Sequence, residues 1–217
     1  NMELTWKLLE EASETANHCQ RNWDRTKQIS DEEVNTLIKV ATNMPTKQNR
    51  NFYDLIVSKD PKINSALYSK AIDRENMEGT EKRNSQVNGH LTFIYVNKRF
   101  HDVEQELRGT EKLHKTKDLL YNHELHTNLS IGISSGAVAL AANQMGLRSG
   151  FCCCYDMDMI LDYFKKIGHE LNGKIVLMLG VGYPNTKYDS NVVLDEADEK
   201  ILKTVHRHKK SIKHKLL

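Results

Sequence analysis

The stretch from residue 128 to residue 156 constrains the fold of this chain more than any other part of it. Its residues are NLSIGISSGAVALAANQMGLRSGFCCCYD, a pattern that predicts a long helix, a turn and a buried strand. Small residues such as Gly132, Gly136 and Ala139 would let another backbone approach the helix closely. Gly146 is free to adopt a positive φ and should end the helix. We therefore expect a central helix and, directly after it, a short strand over 150–154.

The bulk properties predict one soluble domain. The chain has 217 residues and a net charge of +2, so no strong overall field attracts nucleic acid or a membrane surface. No apolar run approaches the roughly 18 residues that a membrane span needs. The first residues lack the basic lead and apolar block of a signal peptide. We therefore expect a single domain over 1–217 in the cytoplasm, with a helical excursion over 102–127 and a C-terminal arm over 185–217.

Hydrophobic periodicity and capping signals predict the remaining elements. Ser30 and Glu33 form a capping box for one of the helices. Because helices separate the strands, the pattern favours an α+β fold with a central mixed sheet of four to five strands covered by helices. The helices are predicted over 3–18, 31–43, 61–83 and 157–171, and the strands over 52–57, 91–96 and 175–179.

Three loops rich in side-chain hydrogen-bond donors are the clearest candidates for a binding site. They cover residues 17–21, 45–51 and 84–86, and a fourth cationic group follows at 207–210. Arginine and lysine side chains suit a phosphate, and amide side chains suit the polar edge of a ring system. From composition alone, solvated loops that bind nothing are the simpler interpretation.

The order of these loops resembles that of the nitroreductase family. The family's first helix is followed by an arginine-containing motif, and here Asn17-His18-Cys19-Gln20-Arg21-Asn22-Trp23-Asp24 stands in that place. Four further motifs occur in the family's order. They are Pro45-Thr46-Lys47-Gln48-Asn49-Arg50-Asn51-Phe52-Tyr53, Asn84-Ser85-Gln86-Val87, Gly146-Leu147-Arg148-Ser149 and Gly182-Tyr183-Pro184. The resemblance covers roughly residues 3–184.

This resemblance implies an intertwined homodimer that binds FMN at the subunit interface. It also implies that NADPH or NADH reduces the flavin, which then reduces a small flat acceptor such as a nitroaromatic or a quinone. The flavin performs the chemistry, so no catalytic acid or base is expected. The residues implied to bind the cofactor are His18, Cys19, Arg21, Thr46, Lys47, Asn49, Asn51, Asn84, Gln86, Cys153, Cys154, Arg207 and Lys209.

The resemblance also assigns roles within this set. Arg21, with His18, Arg207 and Lys209, would bind the FMN phosphate, and Thr46 and Lys47 would come from the partner subunit. The amide side chains would bind the ribityl chain and the pyrimidine edge of the flavin; they are Asn49, Asn51, Asn84 and Gln86. The backbone at Cys153 and Cys154 would lie beside the flavin N5. Lys47 or Gln86 would stabilise the reduced anionic flavin, and Leu120 and Tyr121 in the excursion would cover the partner's flavin.

One departure from the family pattern keeps a second function open. Asn17 stands where the family has its first arginine, which removes a cation from the phosphate site. The alternative is therefore a flavin-binding protein with little turnover, or an enzyme that uses reduced FMN as a substrate.

The sequence offers two other interpretations. Cys152, Cys153 and Cys154 could bind a metal with His123 and His126, but three adjacent cysteines cannot close a tetrahedral site, so we expect no metal. The basic tail at 206–215 could bind nucleic acid phosphates. Because the net charge is small and no aromatic residues are interleaved there, a solvated tail or a flavin-phosphate arm is the simpler interpretation.

Overall fold

A computed structural model describes residues 2–71, 85–108, 117–195, 200–204 and 211–216. Its helices are α1 (Met2–Thr15), α2 (Asp31–Thr42), α3 (Pro61–Tyr68), α4 (Phe100–Arg108), α5 (Lys117–Gln144) and α6 (Met157–Lys166). Its strands are β1 (Tyr53–Ser58), β2 (Leu91–Asn97), β3 (Arg148–Cys152), β4 (Ile175–Gly182), β5 (Val192–Asp195) and β6 (Lys200–Thr204). Two single 3₁₀ turns lie at Lys47–Asn49 and Ser85–Val87.

The predicted helix boundaries hold best where local chemistry specifies them. The Ser30 hydroxyl accepts from the Glu33 backbone N–H, and the Glu33 carboxylate accepts from the Ser30 N–H, so the capping box is formed. Gly146 has a φ of 79° and follows α5, as predicted. In the predicted helical excursion, α4 ends at Arg108, and α5 begins at Lys117 and runs unbroken for 28 residues into the predicted central helix.

The central sheet has four strands in the order β1-β2-β4-β3. This confirms the α+β class and the strand count, but all three pairings are antiparallel rather than mixed. The chain passes through α6 between β3 and β4 but re-enters the sheet at the end where β3 stops, since Cys152 is paired with Met178 near the beginning of β4. A helix between two strands therefore does not require a parallel pair here. A separate antiparallel hairpin, β5–β6, lies in the arm where we predicted no strand.

Helices cover both faces of this sheet. Along β2, Leu91, Phe93 and Tyr95 belong to a core cluster shared with α2 and α5. Ile94 and Val96 point to the other face and join a cluster shared with α3 and α6. This alternation is the period of two that a strand imposes on its side chains. Because β2 is buried on both faces, it reads as a continuous apolar run.

Inside the first cluster, α5 packs against α2 through small and polar residues. The Ser134 hydroxyl donates to the Ala41 carbonyl at 2.8 Å and also meets the Tyr95 hydroxyl at 3.1 Å. Both hydroxyls are thereby satisfied in a buried site, as buried polar groups require. Ser134, one of the small residues of this helix, thus lies directly against α2 and β2.

Candidate functional site

Residues 19–24 form an extended segment at the β3 edge of the sheet. The Gln20 N–H donates to the Ser149 carbonyl at 2.9 Å, and the Asp24 N–H donates to the Tyr183 carbonyl at 3.0 Å. Between them, Trp23 is buried and forms a β-bridge with Pro184. Backbone hydrogen bonds therefore fix the position of this segment against two strands.

Arg21 projects from this fixed segment. Its guanidinium donates to the Cys19 carbonyl at 2.9 Å, and the residue is half-buried. His18 is exposed and Cys19 is half-buried. Next to Arg21, the Asn22 amide donates to the carbonyls of Asp189 at 2.7 Å and Val192 at 3.1 Å, which ties the beginning of the C-terminal arm to the same edge. Sequence reasoning did not find this contact.

The turn Ser85–Val87 lies directly on the sheet beside this segment. A Cβ atom on Gly150 would come within 2.6 Å of the Gln20 carbonyl oxygen and within 2.9 Å of the Gln86 Cβ. A Cβ on Gly180 would collide with the Gln86 carbonyl. Only glycine at these two positions allows such an approach. Two predicted motifs, one with Arg21 and one with Gln86, therefore meet above β3.

A hydrogen bond from a buried indole locks the turn to the segment. The Trp23 Nε1–H donates to the Ser85 carbonyl at 3.0 Å. The Ser85 hydroxyl is buried and has no partner in the described part of the chain. A buried hydroxyl without a partner costs free energy unless a ligand or a water satisfies it.

Cys153 and Cys154 follow the last paired residue of β3. The Cys152 sulfur is buried and accepts from the Cys154 N–H at 3.3 Å. Cys153 is exposed, but packing around its sulfur and the neighbouring Cys154 raise the pKa of its thiol. The thiol therefore stays protonated at neutral pH, which is unfavourable for a nucleophile.

The loop of residues 45–51 is built differently. Gln48 and Asn49 have φ values of 57° and 53°, in the left-handed region, which is costly for a residue other than glycine. The Thr46 hydroxyl donates to the Arg50 carbonyl at 2.7 Å and closes the turn. Lys47 and Asn49 are exposed. Backbone strain of this kind is often found at functional sites.

Side chains anchor this loop to the rest of the chain. Arg50 donates to Glu104 of α4 in a mostly buried ion pair, with side chains 15% and 9% exposed. With its amide oriented to satisfy both neighbours, Asn51 donates to the Tyr53 carbonyl at 2.7 Å and accepts from the Lys98 ammonium at 2.8 Å. A cleft of about 500 Å³ borders Thr46, Asn49 and Asn51. The ion pair joins two residues 54 positions apart, and no local signal could have identified it.

Two of the described predicted groups converge within one chain, and the third lies apart. The Arg21 segment and the Gln86 turn meet beside β3. Loop 45–51 precedes β1, the strand at the opposite edge of the sheet. Three strand spacings place these edges roughly 14 Å apart or more. Asn84, Arg207 and Lys209 lie outside the described residues.

The overall structure was compared with known proteins. No family model and no curated protein matches the sequence. A protein assigned as a nitroreductase from Exiguobacterium sibiricum, solved in complex with FMN, is 18% identical, with 90% of this chain and 97% of that chain covered and a TM-score of 0.61. A nitroreductase family protein from Streptococcus pneumoniae is 20% identical, with 88% and 97% covered and a TM-score of 0.56. The chain has the nitroreductase fold.

A third solved structure with this fold is assigned as an NAD(P)H:FMN oxidoreductase, from Staphylococcus epidermidis. It is 15% identical, with 88% of this chain and 94% of that chain covered and a TM-score of 0.59. The nitroreductase fold therefore extends over most of the sequence on which the five motifs were recognised. At these identities the likeness establishes architecture, and the site must be argued from this chain's own residues.

Two further properties hold for the described residues. None of their helices is long and apolar enough to cross a membrane. No group of three or more His, Cys, Asp or Glu side chains among them could hold a metal ion. His123 and His126 instead pack their rings 5.9 Å from the Phe52 ring, and a His123 ring nitrogen bonds to the Lys98 carbonyl.

Proposed function

We propose that this protein is an FMN-dependent oxidoreductase that takes hydride from NADPH or NADH and reduces a small flat acceptor, such as a nitroaromatic or a quinone. The observation that carries the proposal is the meeting of the Arg21 segment and the Gln86 turn above Gly150, in a chain with the nitroreductase fold. These two motifs are far apart in sequence, and the family resemblance assigns both to one cofactor.

The chemistry of this region fits FMN. Arg21 supplies a permanent cation for a phosphate. Gln86 and the unpartnered Ser85 hydroxyl supply polar groups for a ring edge or a sugar chain. The missing Cβ atoms of Gly150 and Gly180 bring the turn onto the sheet. The region therefore combines an anion site with donors on rigid backbone, as a phosphorylated heterocycle requires.

The proposed roles extend to every predicted residue. His18 and the tail cations support Arg21 at the phosphate. Thr46, Lys47 and Asn49 reach the cofactor from the partner, because their loop lies at the opposite sheet edge of its own chain. Asn51 acts through the loop conformation, since its amide is already engaged by Tyr53 and Lys98. The proposed cofactor-binding set is His18, Cys19, Arg21, Thr46, Lys47, Asn49, Asn51, Asn84, Gln86, Cys153, Cys154, Arg207 and Lys209.

Exposed apolar side chains support the homodimer that this arrangement needs. Leu125, Leu129 and Ile133 recur every four residues on α5 and are 40%, 55% and 46% exposed. Trp6 of α1 is 62% exposed. A Cβ atom on Gly132 or Gly136 would meet nothing, so this face of α5 is open to a close approach. Contiguous exposed apolar surface of this kind is typical of a protein interface.

FMN, when bound, supplies the two-electron redox chemistry. The protein's own groups position and stabilise it. Lys47 or Gln86, placed near the pyrimidine edge, would stabilise negative charge there electrostatically. The Cys154 N–H is occupied by the Cys152 sulfur, so the Cys153 backbone N–H is the better candidate for the donor beside N5. The raised pKa of the Cys153 thiol agrees with a role for its backbone rather than its sulfur.

A visible absorption spectrum tests the proposal directly. We expect the purified protein to be yellow, to lose its flavin absorbance on anaerobic addition of NADPH or NADH, and to regain it with nitrofurazone or menadione. A colourless protein that does not take up added FMN would refute the proposal.

The Arg21→Met variant tests the site itself. We expect FMN affinity to fall by about 10- to 100-fold, because a charge-assisted contact contributes roughly 1.5–3 kcal/mol. The matched control is Arg99→Met, which removes an exposed arginine next to α4. Equal FMN affinity in the two variants would place the phosphate elsewhere.

The alternative function is a flavin protein with little turnover, or an enzyme that uses reduced FMN as a substrate. Asn17, exposed and uncharged at the expected first cation, favours it. A yellow protein that neither nicotinamide bleaches would support a protein with little turnover, and FMN that dissociates on reduction would support its use as a substrate.

A further inference from the structure

Asparagine followed by glycine occurs twice in the chain, at Asn88–Gly89 and at Asn172–Gly173. In this dipeptide the backbone nitrogen of the glycine can attack the side-chain amide carbon of the asparagine, because glycine has no Cβ to obstruct the approach. In a folded protein the attack also requires that the amide side chain and the peptide after it can turn. The two sites differ in this freedom.

The first site is buried and held. Asn88 is 7% exposed, its N–H donates to the Ser85 carbonyl at 3.1 Å, and its carbonyl accepts from the Arg25 guanidinium. A Cβ atom on Gly89 would come within 2.6 Å of the Val181 carbonyl oxygen. This peptide therefore cannot turn without breaking the hydrogen bonds and the packing that hold it on the sheet.

The second site lies in the connection between α6 and β4 and is open. Asn172 is exposed, and its side chain makes no hydrogen bond within the part of the chain that the structure describes. No backbone N–H of residues 170–173 donates to a described group either. The Asn172 amide and the Gly173 nitrogen are therefore both available for the reaction.

Directly after this site the chain is fixed again. The Lys174 N–H donates to the Asn97 Oδ1 at 2.7 Å, and the Asn97 N–H donates to the Lys174 carbonyl at 2.9 Å. We call these two hydrogen bonds the Asn97–Lys174 clamp. A Cβ atom on Gly173 would collide with the Asn97 carbonyl, so the Gly173 Cα lies against this strand. The movement that closes a ring must therefore come from Asn172 and the exposed residues before it.

The surroundings of Asn172 are cationic. Asn172 lines a cavity of about 610 Å³ together with the exposed residues Arg99 and Lys174. Glu124 is the only carboxylate among the described lining residues. An excess of positive charge favours the anionic form of the attacking nitrogen, and later the carboxylate of the product. Local electrostatics therefore favours the reaction at this site.

We propose that Asn172–Gly173 is a site of spontaneous deamidation in the folded protein, and that the Asn97–Lys174 clamp directs the product toward aspartate. The Gly173 nitrogen loses its proton and forms a bond to the Asn172 Cγ, and the side-chain nitrogen takes up a proton and leaves as ammonia. Water then opens the cyclic imide at either carbonyl and gives aspartate or isoaspartate. Isoaspartate adds one atom to the main chain immediately before the clamp, which disfavours it in the folded state.

Peptide mapping by mass spectrometry tests the site. The folded protein is incubated in mildly alkaline buffer and then digested with endoproteinase Lys-C at mildly acidic pH, where little further deamidation occurs. Peptide 167–174 reports on Asn172, and peptide 83–98 reports on Asn88. We expect Asn172 to deamidate at least about tenfold faster than Asn88 in the folded protein, and at a similar rate in urea. Equal rates in the folded protein, or an unchanged peptide 167–174, would overturn the proposal.

Variants confirm the position. Asn172→Gln should abolish the acidic form that ion-exchange chromatography separates, because glutamine must close a larger ring and reacts more slowly. The matched control is Asn128→Gln, which replaces another exposed asparagine of the same cavity that is followed by leucine. This control should accumulate the acidic form at the wild-type rate. If Asn172→Gln also does so, the reaction occurs elsewhere and the proposal fails.

The ratio of products tests the clamp. Methylation by protein isoaspartyl methyltransferase measures the isoaspartate share, which should be at least about twofold lower in the folded protein than in urea. Asn97→Ala removes the acceptor of the clamp and should raise this share toward the value in urea. If Asn97→Ala does not fold, the comparison of folded and unfolded wild type remains decisive, because equal shares would contradict a role for the clamp. The reaction needs no cofactor, so these outcomes are independent of FMN binding.

Discussion

The segment 19–24 and the loop 45–51 are both polar, and both were predicted to bind the same cofactor, yet they are held in different ways. Backbone hydrogen bonds to Ser149 and Tyr183 place the first on two strands. The second depends on side chains, above all the Arg50–Glu104 ion pair, and contains two residues with positive φ. Backbone hydrogen bonds therefore hold segment 19–24 in place, whereas the conformation of loop 45–51 depends on individual side chains.

The largest expected effect is at the ion pair. Arg50→Met removes the guanidinium that pairs with the buried Glu104 carboxylate, and should lower the free energy of unfolding by about 3–5 kcal/mol. Urea unfolding measures this change. The double variant Arg50→Met/Glu104→Leu should recover most of it, because both charges are then removed. If the double variant is no more stable than the single one, loop 45–51 is not held in this way.

The next effect tests the rigid region. Gly150→Ala places a Cβ against the Gln20 carbonyl and the Gln86 side chain. It should lower the free energy of unfolding by about 1–3 kcal/mol and also weaken FMN binding. The matched control is Gly173→Ala, whose Cβ would collide with the Asn97 carbonyl at the other end of the sheet. Both should reduce stability by urea unfolding, but Gly150→Ala should lower FMN affinity more. If both variants lose FMN affinity equally, the positions Gly150 and Gly173 cannot be distinguished by their effect on the flavin site.

A smaller effect concerns pH. The pKa of His90 is lowered in the folded protein, mainly by burial, so the unfolded chain binds the proton more readily. The contribution of neutral His90 to the free energy of unfolding is therefore fully present above the unfolded pKa of about 6.5. It is lost as the pH falls from there through the lowered pKa of the folded state. His90→Gln should flatten the dependence of the unfolding free energy between pH 7.5 and 5. If this variant keeps the wild-type dependence of the unfolding free energy on pH, His90 is not the source of that dependence.

The smallest effect tests the strain in loop 45–51. Gln48 has a φ of 57°, and Gln48→Gly should raise the free energy of unfolding by about 0.5 kcal/mol, because glycine adopts this conformation without steric cost. The exposed control Gln28→Gly, at a position without positive φ, should lower stability slightly. A loss of stability in Gln48→Gly would show that the strain is not relieved.

Much of the fold was predictable because it follows from local chemistry. The capping box of Ser30 and Glu33, the helix end at Gly146 and the apolar run of β2 are each specified by adjacent residues. The β5–β6 hairpin was missed because its strands have only four and five residues. The early beginning of α5 at Lys117 was missed because its first turns are mostly polar and tertiary contacts outweigh weak propensity. The sheet was predicted to be mixed, and its three antiparallel pairings were missed, because the end at which the chain re-enters the sheet after a helix is decided by tertiary packing.

The candidate site divides in the same way. The order of the motifs was sufficient to select Arg21 and Gln86, and the structure brings their segments together. The Asn22 contacts to the C-terminal arm, the Arg50–Glu104 pair and the unpartnered Ser85 hydroxyl could not be predicted, because each depends on residues distant in sequence.

The sequence by itself determined which residues carry charge, amide groups or small size, and where helices begin and end, because those properties depend on a residue and its near neighbours. Only the tertiary structure decided which polar groups meet and which remain unsatisfied. The physical reason is that hydrogen-bond satisfaction and burial are properties of packed segments, and the chain must fold before either exists.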